Sequence, residues 1–363
     1  MADYLTQIAD IEAEIAKTKY NKATQHHVGL LKAKVAKLKE KQTSRGGGGA
    51  GEGFTVRRTG DGTVILLGFP SAGKSTLLNA ITNTKSEVAA YAFTTLTCIP
   101  GLLNYKHAQI QVLDVPGIVS GAASGRGRGK EVLAAMRNAD LAIVLLDSLR
   151  INELPIILSE ARDAHIRLNE RPPDVKIVKT SKGGIDIGRT VLTPELDNET
   201  IKGICAEFRY HNCQIVIRTP INADQFIDAL EANKKYMPML LVVNKADLLT
   251  EEGRKQVQKE VNPDLFISAH YKLGIPELKD GIYDKLDFIR IYMKEPGKQA
   301  DMNVPMIMQR GDNIRRLCEK LHKDFIANFK FSRVTGPSSK FAGQKLMLNH
   351  VMKDGDIIEL HIR

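Results

Sequence analysis

At 363 residues, 43% hydrophobic and 26% charged, the chain is ordinary in composition for a soluble protein and long enough for two or three cores. No apolar run approaches the length of a membrane span, and four scattered cysteines (Cys98, Cys205, Cys213, Cys318) argue against a disulfide scaffold or zinc site. The formal net charge of +10 favours an anionic partner such as RNA without identifying one.

Met1-Ala2-Asp3-Tyr4 opens a polar, helix-like segment rather than a secretion signal, so a cytoplasmic location is expected. Ile8, Ile11 and Ile15 mark one helix; Val28, Leu31, Val35 and Leu38 give a second its apolar stripe. Residues 1–45 therefore predict a helical hairpin that packs on the main domain or on a partner. Its many lysines, from Lys17 to Lys41, form either a solvated surface or an RNA- or protein-binding arm. His26 and His27 lie near the turn without companion ligands and read as surface residues. A Gly-rich joint at 46–62 follows.

Gly68-Phe69-Pro70-Ser71-Ala72-Gly73-Lys74-Ser75 has the GxxxxGKS form, between an apolar strand (Thr63–Leu67) and an amphipathic helix that begins at Ser75-Thr76. Gly68 and Gly73 let the backbone wrap phosphates, and the helix start aims free N–H groups at them. Lys74 can reach the β- and γ-phosphates, and Ser75 offers a hydroxyl to Mg2+. Tyr91–Thr97 is a candidate first switch in which a hydroxyl of Thr94 or Thr95 completes the Mg2+ shell. Asp114-Val115-Pro116-Gly117 ends a strand: Asp114 can hold Mg2+ through water, and the Gly117 N–H can contact the γ-phosphate. Ile118 stands where many signalling GTPases carry a water-orienting glutamine. Gly121, Gly125, Gly127 and Gly129 around Arg126 and Arg128 mark a mobile second switch.

Leu141–Asp147 and Met239–Val243 are continuous apolar strands of the kind buried on both faces. Asn244-Lys245-Ala246-Asp247 follows the latter and selects guanine, because the Asp247 carboxylate can accept both N1–H and N2–H. Asn244 braces the base loop, the Lys245 stem covers the ring, Ala269 N–H addresses O6 and Ser268 shapes the turn. Between the two strands, a helix at Leu154–Asn169 and a small α/β insertion (170–237) are expected. From Phe288 onward a compact mixed sheet around a helix (Asn313–Phe325) is expected, with Lys323, Lys330, Arg333, Lys340 and Lys345 forming either a basic face or scattered charge.

These motifs (GFPSAGKS, FTTLT at Phe93–Thr97, DVPG, NKAD, and SAH at Ser268–His270) closely resemble the developmentally regulated GTP-binding proteins (DRG) among the Obg-like GTPases, over nearly the whole chain. The resemblance implies an α/β fold: a three-layer P-loop GTPase domain (63–287), the N-terminal hairpin and a C-terminal β-grasp TGS domain (288–363). It further implies Mg2+-dependent GTP hydrolysis with slow intrinsic turnover, linked to the ribosome or rRNA, and Thr95 as the switch threonine. A DRG-family regulatory protein is an expected partner; no membrane is, and the chain is expected to be a monomer. Cofactor-binding positions carried over are Gly68, Pro70, Ser71, Ala72, Gly73, Lys74, Ser75, Thr76, Asn244, Lys245, Asp247, Ser268 and Ala269. Mg2+ falls to Ser75, Thr95 and Asp114, and hydrolysis to Lys74, Thr95 and Gly117. Some relatives use K+, but Ser71 replaces the asparagine of the clearest K+ users, and Ala92 replaces a glutamate frequent before FTT in DRG proteins. The alternative is a nucleotide-gated RNA- or protein-binding scaffold with very weak hydrolysis.

Asp247→Asn is expected to cut the preference for GTP over xanthosine triphosphate by about tenfold or more, since hydrogen bonds to a charged acceptor contribute ~1.5–3 kcal/mol. Competition between the two nucleotides measures it; an unchanged preference removes Asp247 from the base loop.

Overall fold

The computed structural model describes residues 2–45, 60–82, 99–114 and 138–362. The first-switch candidate with Thr95, the Val115-Pro116-Gly117 turn, Ile118, the Gly/Arg stretch at 121–129 and Cys98 lie outside them.

In chain order, α1 (Ala2–Lys17) and α2 (Gln25–Arg45) precede β1 (Gly62–Leu67), α3 (Lys74–Ile81), β2 (Ile99–Tyr105), β3 (Ala108–Asp114), β4 (Leu141–Asp147) and α4 (Leu154–Asp163). An excursion follows: β5 (Ile166–Leu168), β6 (Val175–Lys179), β7 (Ile185–Arg189), α5 (Asn198–Glu207), β8 (Cys213–Ile217), α6 (Ala223–Glu231) and β9 (Lys235–Met237). The chain returns through β10 (Met239–Asn244), α7 (Glu251–Val261), β11 (Leu265–Phe266) and α8 (Ile275–Lys285). It continues with β12 (Phe288–Lys294), β13 (Met306–Gln309), α9 (Ile314–Leu321), α10 (Lys323–Ala327), β14 (Phe329–Thr335), β15 (Gln344–Leu346) and β16 (Ile357–Ile362). Two compact units result: Met1–Gly53 with His165–Tyr236, and Phe54–Ala164 with Met237–Arg363.

In the second unit a six-stranded sheet has the order β11-β10-β4-β1-β3-β2. β1, β3, β4, β10 and β11 run parallel and β2 is antiparallel to β3. Every residue of β1 and β4 is buried, which accounts for their unbroken apolar sequence. β3 lies on one side of β1 and β4 on the other, so the strand order reverses at β1, and the crevice beyond the strand ends opens there. Register places Leu66 opposite Asp114, Leu67 opposite Val144, and Asn244 opposite Asp147, which lines up the strand ends that carry the motifs.

The C-terminal sheet, of order β13-β12-β16-β14-β15, wraps α9 around Ile289, Ile291, Leu317, Cys318, Val334, Ile358 and Leu360. Phe288 and Ile307 belong instead to the core of the six-stranded sheet, and a Cβ added at Gly62 would lie 2.9 Å from the Phe288 ring. Lys320 donates to the Ile307 carbonyl at 2.7 Å and to the Asp61 carboxylate. The two sheets are thus joined through the starting end of β1.

The first unit stacks α5 and α6 on the sheet β6-β8-β7, with Ile204, Cys205, Cys213, Ile215 and Phe226 in its core. Ala33 of α2 joins that core, so the hairpin packs on the inserted segment. A Cβ on Gly29 would lie 2.6 Å from Thr200 Cγ2, and one on Gly203 2.7 Å from Leu30 Cδ2; glycine permits the close crossing of α2 and α5. Lys32 pairs with Asp224 at 2.6 Å, Lys37 donates to the Glu207 carbonyl and Lys39 pairs with Glu12 at 3.0 Å. Lys32 and Lys37 therefore anchor the hairpin on the insertion, and Lys39 ties α2 to α1.

Two expected helices are shorter than the sequence suggests. The helix expected over Leu154–Asn169 stops at Asp163, because His165 turns left-handed (φ 62°) and Ile166–Leu168 is a strand. The helix expected over Asn313–Phe325 breaks at His322, whose extended backbone caps α10 through its side chain.

Candidate guanine nucleotide site

Pro70–Ala72 forms a single 3-10 turn, and Gly73 (φ 88°) reverses the chain into α3. Gly73 needs more than a left-handed backbone: a Cβ there would lie 2.5 Å from Asn244 Nδ2. At Gly68 the corresponding atom would meet the Leu145 carbonyl oxygen at 2.4 Å. The loop is therefore pressed against the ends of β4 and β10.

Lys74 is buried, 6% exposed, and its Nζ donates to the carbonyls of Gly68 (2.9 Å) and Phe69 (3.0 Å) across the mouth of the loop. Burial pushes its pKa below the usual lysine value, and the Asp114 carboxylate acts in the opposite direction. An ammonium held only by neutral carbonyls is better satisfied by an anion. Ser71, Ser75 and Thr76 are exposed. Ser75 Oγ donates to Asp114 Oδ2 at 2.9 Å, whereas Asp114 Oδ1 is buried without a hydrogen-bond partner. A hydroxyl with free lone pairs beside an orphaned carboxylate oxygen fits hydrated Mg2+.

The base loops are tied to the phosphate loop by one side chain. Asn244 Nδ2 donates to the Ala72 carbonyl at 2.9 Å and its Oδ1 accepts Ala269 N–H at 3.0 Å. The N–H expected to address guanine O6 thus already has an acceptor in this structure. Lys245 is left-handed (φ 59°), and its Nζ pairs with buried Asp147 at 2.6 Å. Burial raises the Asp147 pKa, but Lys245 and the Leu149 N–H outweigh it and hold the carboxyl below its ordinary value. The pair is accordingly at full strength above the normal aspartate range and is lost as pH falls through the depressed value. Asp247 is exposed at the rim, and Ser268 forms a two-way backbone bridge with Leu273.

The sequence reading missed the turn after β4. Ser148 N–H donates to the Asn244 carbonyl at 3.1 Å and its hydroxyl to the Lys245 carbonyl at 3.0 Å. Arg150 Nη1 reaches Ser71 Oγ at 3.5 Å, so the position that bears a K+-binding asparagine in some relatives here faces a guanidinium. The signal lay in Asp147, Ser148 and Arg150, three polar residues clustered at the end of a parallel strand.

The phosphate loop at the reversal point, together with the base loops on β10 and β11, defines a P-loop guanine-nucleotide-binding domain, here joined to a β-grasp module. Family models match accordingly: one described as a 50S ribosome-binding GTPase over residues 63–179, the C-terminal region of that domain over 182–288, and a TGS domain over 289–362. An uncharacterized GTP-binding protein of Methanocaldococcus jannaschii is 50% identical over 361 residues, 98% of this chain and 92% of its own. Developmentally-regulated G-protein 3 of Arabidopsis thaliana is 43% identical over 366 residues, 99% of each chain. Developmentally-regulated GTP-binding protein 1 of Xenopus laevis is 43% identical over 365 residues, also 99% of each. The chain belongs to the developmentally regulated GTP-binding proteins of the Obg-like GTPase family. Among the described residues no helix is long and apolar enough to cross a membrane.

Asn244→Ala leaves the Ala72 carbonyl and the Ala269 N–H without their partner. At about 1 kcal/mol for each bond the loss is ~2 kcal/mol, or a roughly 30-fold weaker affinity for guanine nucleotides. Nucleotide titration measures it, and a change below about threefold shows that Asn244 does not hold the two loops.

Proposed function

We propose that the chain is a slow, Mg2+-dependent GTPase that acts as a ribosome-linked switch. The observation that carries this reading is the buried Lys74 ammonium in the phosphate loop beside the Ser75–Asp114 pair. Lys74 moves from the loop carbonyls onto the β- and γ-phosphates. Ser75 and Asp114 hold Mg2+, which when bound neutralises phosphate charge. Asp114 Oδ1, buried without a hydrogen-bond partner, would take part in holding the hydrated ion. Gly68, Pro70, Ser71, Ala72, Gly73 and Thr76 line the phosphates; Asp247 reads the guanine edge, and Ala269 shares its N–H between Asn244 and O6. Thr95 and Gly117 sense the γ-phosphate, a role assigned from sequence alone. Ile118 cannot orient water, which supports slow turnover.

The ribosome link draws on the family model's description and on the outer face of the TGS sheet. On that face Lys294 (3.0 Å), His361 (2.6 Å) and Arg333 (3.8 Å) surround the buried Glu359 carboxylate. The Phe331 ring stacks on His361 at 4.3 Å, with Lys345 Nζ 4.8 Å from its centre. Arg333 and Lys345 are register partners, whereas Lys330 sits at the irregularity between Phe329 and Phe331. The net charge of this face is positive, which suits rRNA phosphates. A DRG-family regulatory protein is a further proposed partner, to which no surface is assigned.

Lys74→Ala is expected to reduce GTP affinity and to lower phosphate release by about 100-fold or more. Nucleotide titration and phosphate release on the full chain check both; unchanged values remove Lys74 from this role. Wild-type protein that binds GTP without releasing phosphate supports the scaffold reading instead.

Ribosome binding is best tested by Arg333→Glu with Lys345→Glu, because removing residues from Phe288 onward would strip the core of the six-stranded sheet. Cosedimentation with purified ribosomes at several salt concentrations, with GDP or a nonhydrolysable GTP analogue, should show saturable, nucleotide-dependent binding that the double variant weakens by about tenfold or more, while GTP affinity is kept. Binding that is nonsaturable, indifferent to nucleotide and lost in parallel with naked-RNA binding overturns the ribosome-specific reading.

A further inference from the structure

We propose that Arg150 supplies a second side-chain cation to the phosphate chain of GTP, delivered by the turn after β4 on the flank of the phosphate loop away from the metal side. The inference rests on the GTPase reading above and deepens it, because that reading assigns the phosphates one side-chain cation, Lys74, and, at Ile118, no water-orienting side chain.

The backbone of Arg150 is held firmly. Its N–H donates to the Asp147 carbonyl at 2.9 Å, and Leu149 N–H donates to Asp147 Oδ1 at 3.0 Å. Asp147 is 5% exposed and carries the ion pair to Lys245, and Ser148 is bonded twice to the base loop. The turn is therefore fixed to the elements that define the nucleotide site.

The guanidinium is not comparably satisfied. Its contact with Ser71 Oγ is 3.5 Å, at the limit of a hydrogen bond, and its carboxylate companion Glu153 is 3.8 Å away. The side chain is 59% exposed. A planar, permanently charged group beside Ser71 of a phosphate-wrapping loop, with one long neutral contact, one long ionic contact and the Asp147 charge within electrostatic reach, has donors to spare for phosphate oxygens.

Topology sets which side of the phosphates it serves. β3 and β4 flank β1 on opposite sides. Asp114, at the end of β3, meets Ser75 and marks the metal flank, while Arg150 follows β4 and meets Ser71. The phosphate chain is thus bracketed by metal ligands on one side and the guanidinium on the other. During hydrolysis a water oxygen bonds to the γ-phosphorus as its bond to the β–γ bridging oxygen breaks, the electron pair staying on GDP. One water proton remains on the released hydrogen phosphate and the other passes to solvent. Charge grows on the bridging oxygen and the β-phosphate, where an added cation lowers the barrier.

The test compares full-length wild type, Arg150→Ala and Arg150→Lys by phosphate release at saturating MgGTP and constant K+, alongside titrations with GDP and a nonhydrolysable GTP analogue. Arg150→Ala should lose about 10- to 100-fold in turnover, less than a fully enclosed arginine because the group is partly solvated. Arg150→Lys should be intermediate, and millimolar guanidinium chloride should restore part of the Arg150→Ala rate while leaving wild type unaccelerated. Turnover of Arg150→Ala within about twofold of wild type overturns the inference. So does a loss that neither lysine nor guanidinium lessens, which marks a merely structural role. Both results leave wild-type hydrolysis, and the GTPase reading, intact; wild type that releases no phosphate overturns both.

Discussion

The amide of Asn244 is the constraint on which the nucleotide site depends. Its two ends bond to Ala72 in the phosphate loop and Ala269 in the second base loop, segments far apart in sequence. That bridge forces Gly73 to lack a side chain, since a Cβ there would overlap the amide nitrogen. It also relies on β10 lying beside β4 in the register that sets Asn244 opposite Asp147, which in turn brings Lys245 to Asp147. Phosphate and base recognition are therefore parts of one hydrogen-bonded assembly.

The TGS sheet joins this assembly at the far end. Phe288 and Ile307 enter the main core beside Gly62, where β1 begins, whereas the phosphate loop follows where β1 ends. At ~3.3 Å per residue the six residues of β1 separate them by roughly 20 Å. The shared apolar contact makes the two sheets one packed body, and the cationic outer face of the TGS sheet is left to meet a partner.

Charge patterning alone could not say where the N-terminal lysines act. A lysine on an amphipathic helix reads the same whether it faces water or bonds to a neighbouring element. Lys32 and Lys37 are committed to Asp224 and the Glu207 carbonyl, and the crossing behind them requires glycine at positions 29 and 203. The insertion has its own charged interior: Arg167 grips the nearly buried Asp228 through two bonds of 2.7 Å. Such a pair holds only while both partners are present.

The sequence by itself determined the P-loop α/β class, the guanine-type loops and the presence of a further small sheet, because each leaves a local signature. Continuous apolar runs require strands covered on both faces, and GxxxxGKS and NKAD are contiguous. Phe329–Thr335 alternates as a strand should, but its pairing partners are distant in sequence and the sequence alone did not mark it as a strand. Tertiary structure alone decided that the hairpin packs on the insertion, that Cys205 and Cys213 share one buried core, that Ala269 N–H is held by Asn244, and that Arg150 stands over Ser71. Each of these is a meeting of residues whose neighbours in sequence say nothing of each other. Only the closing of the chain into its core supplies the free energy that brings them together.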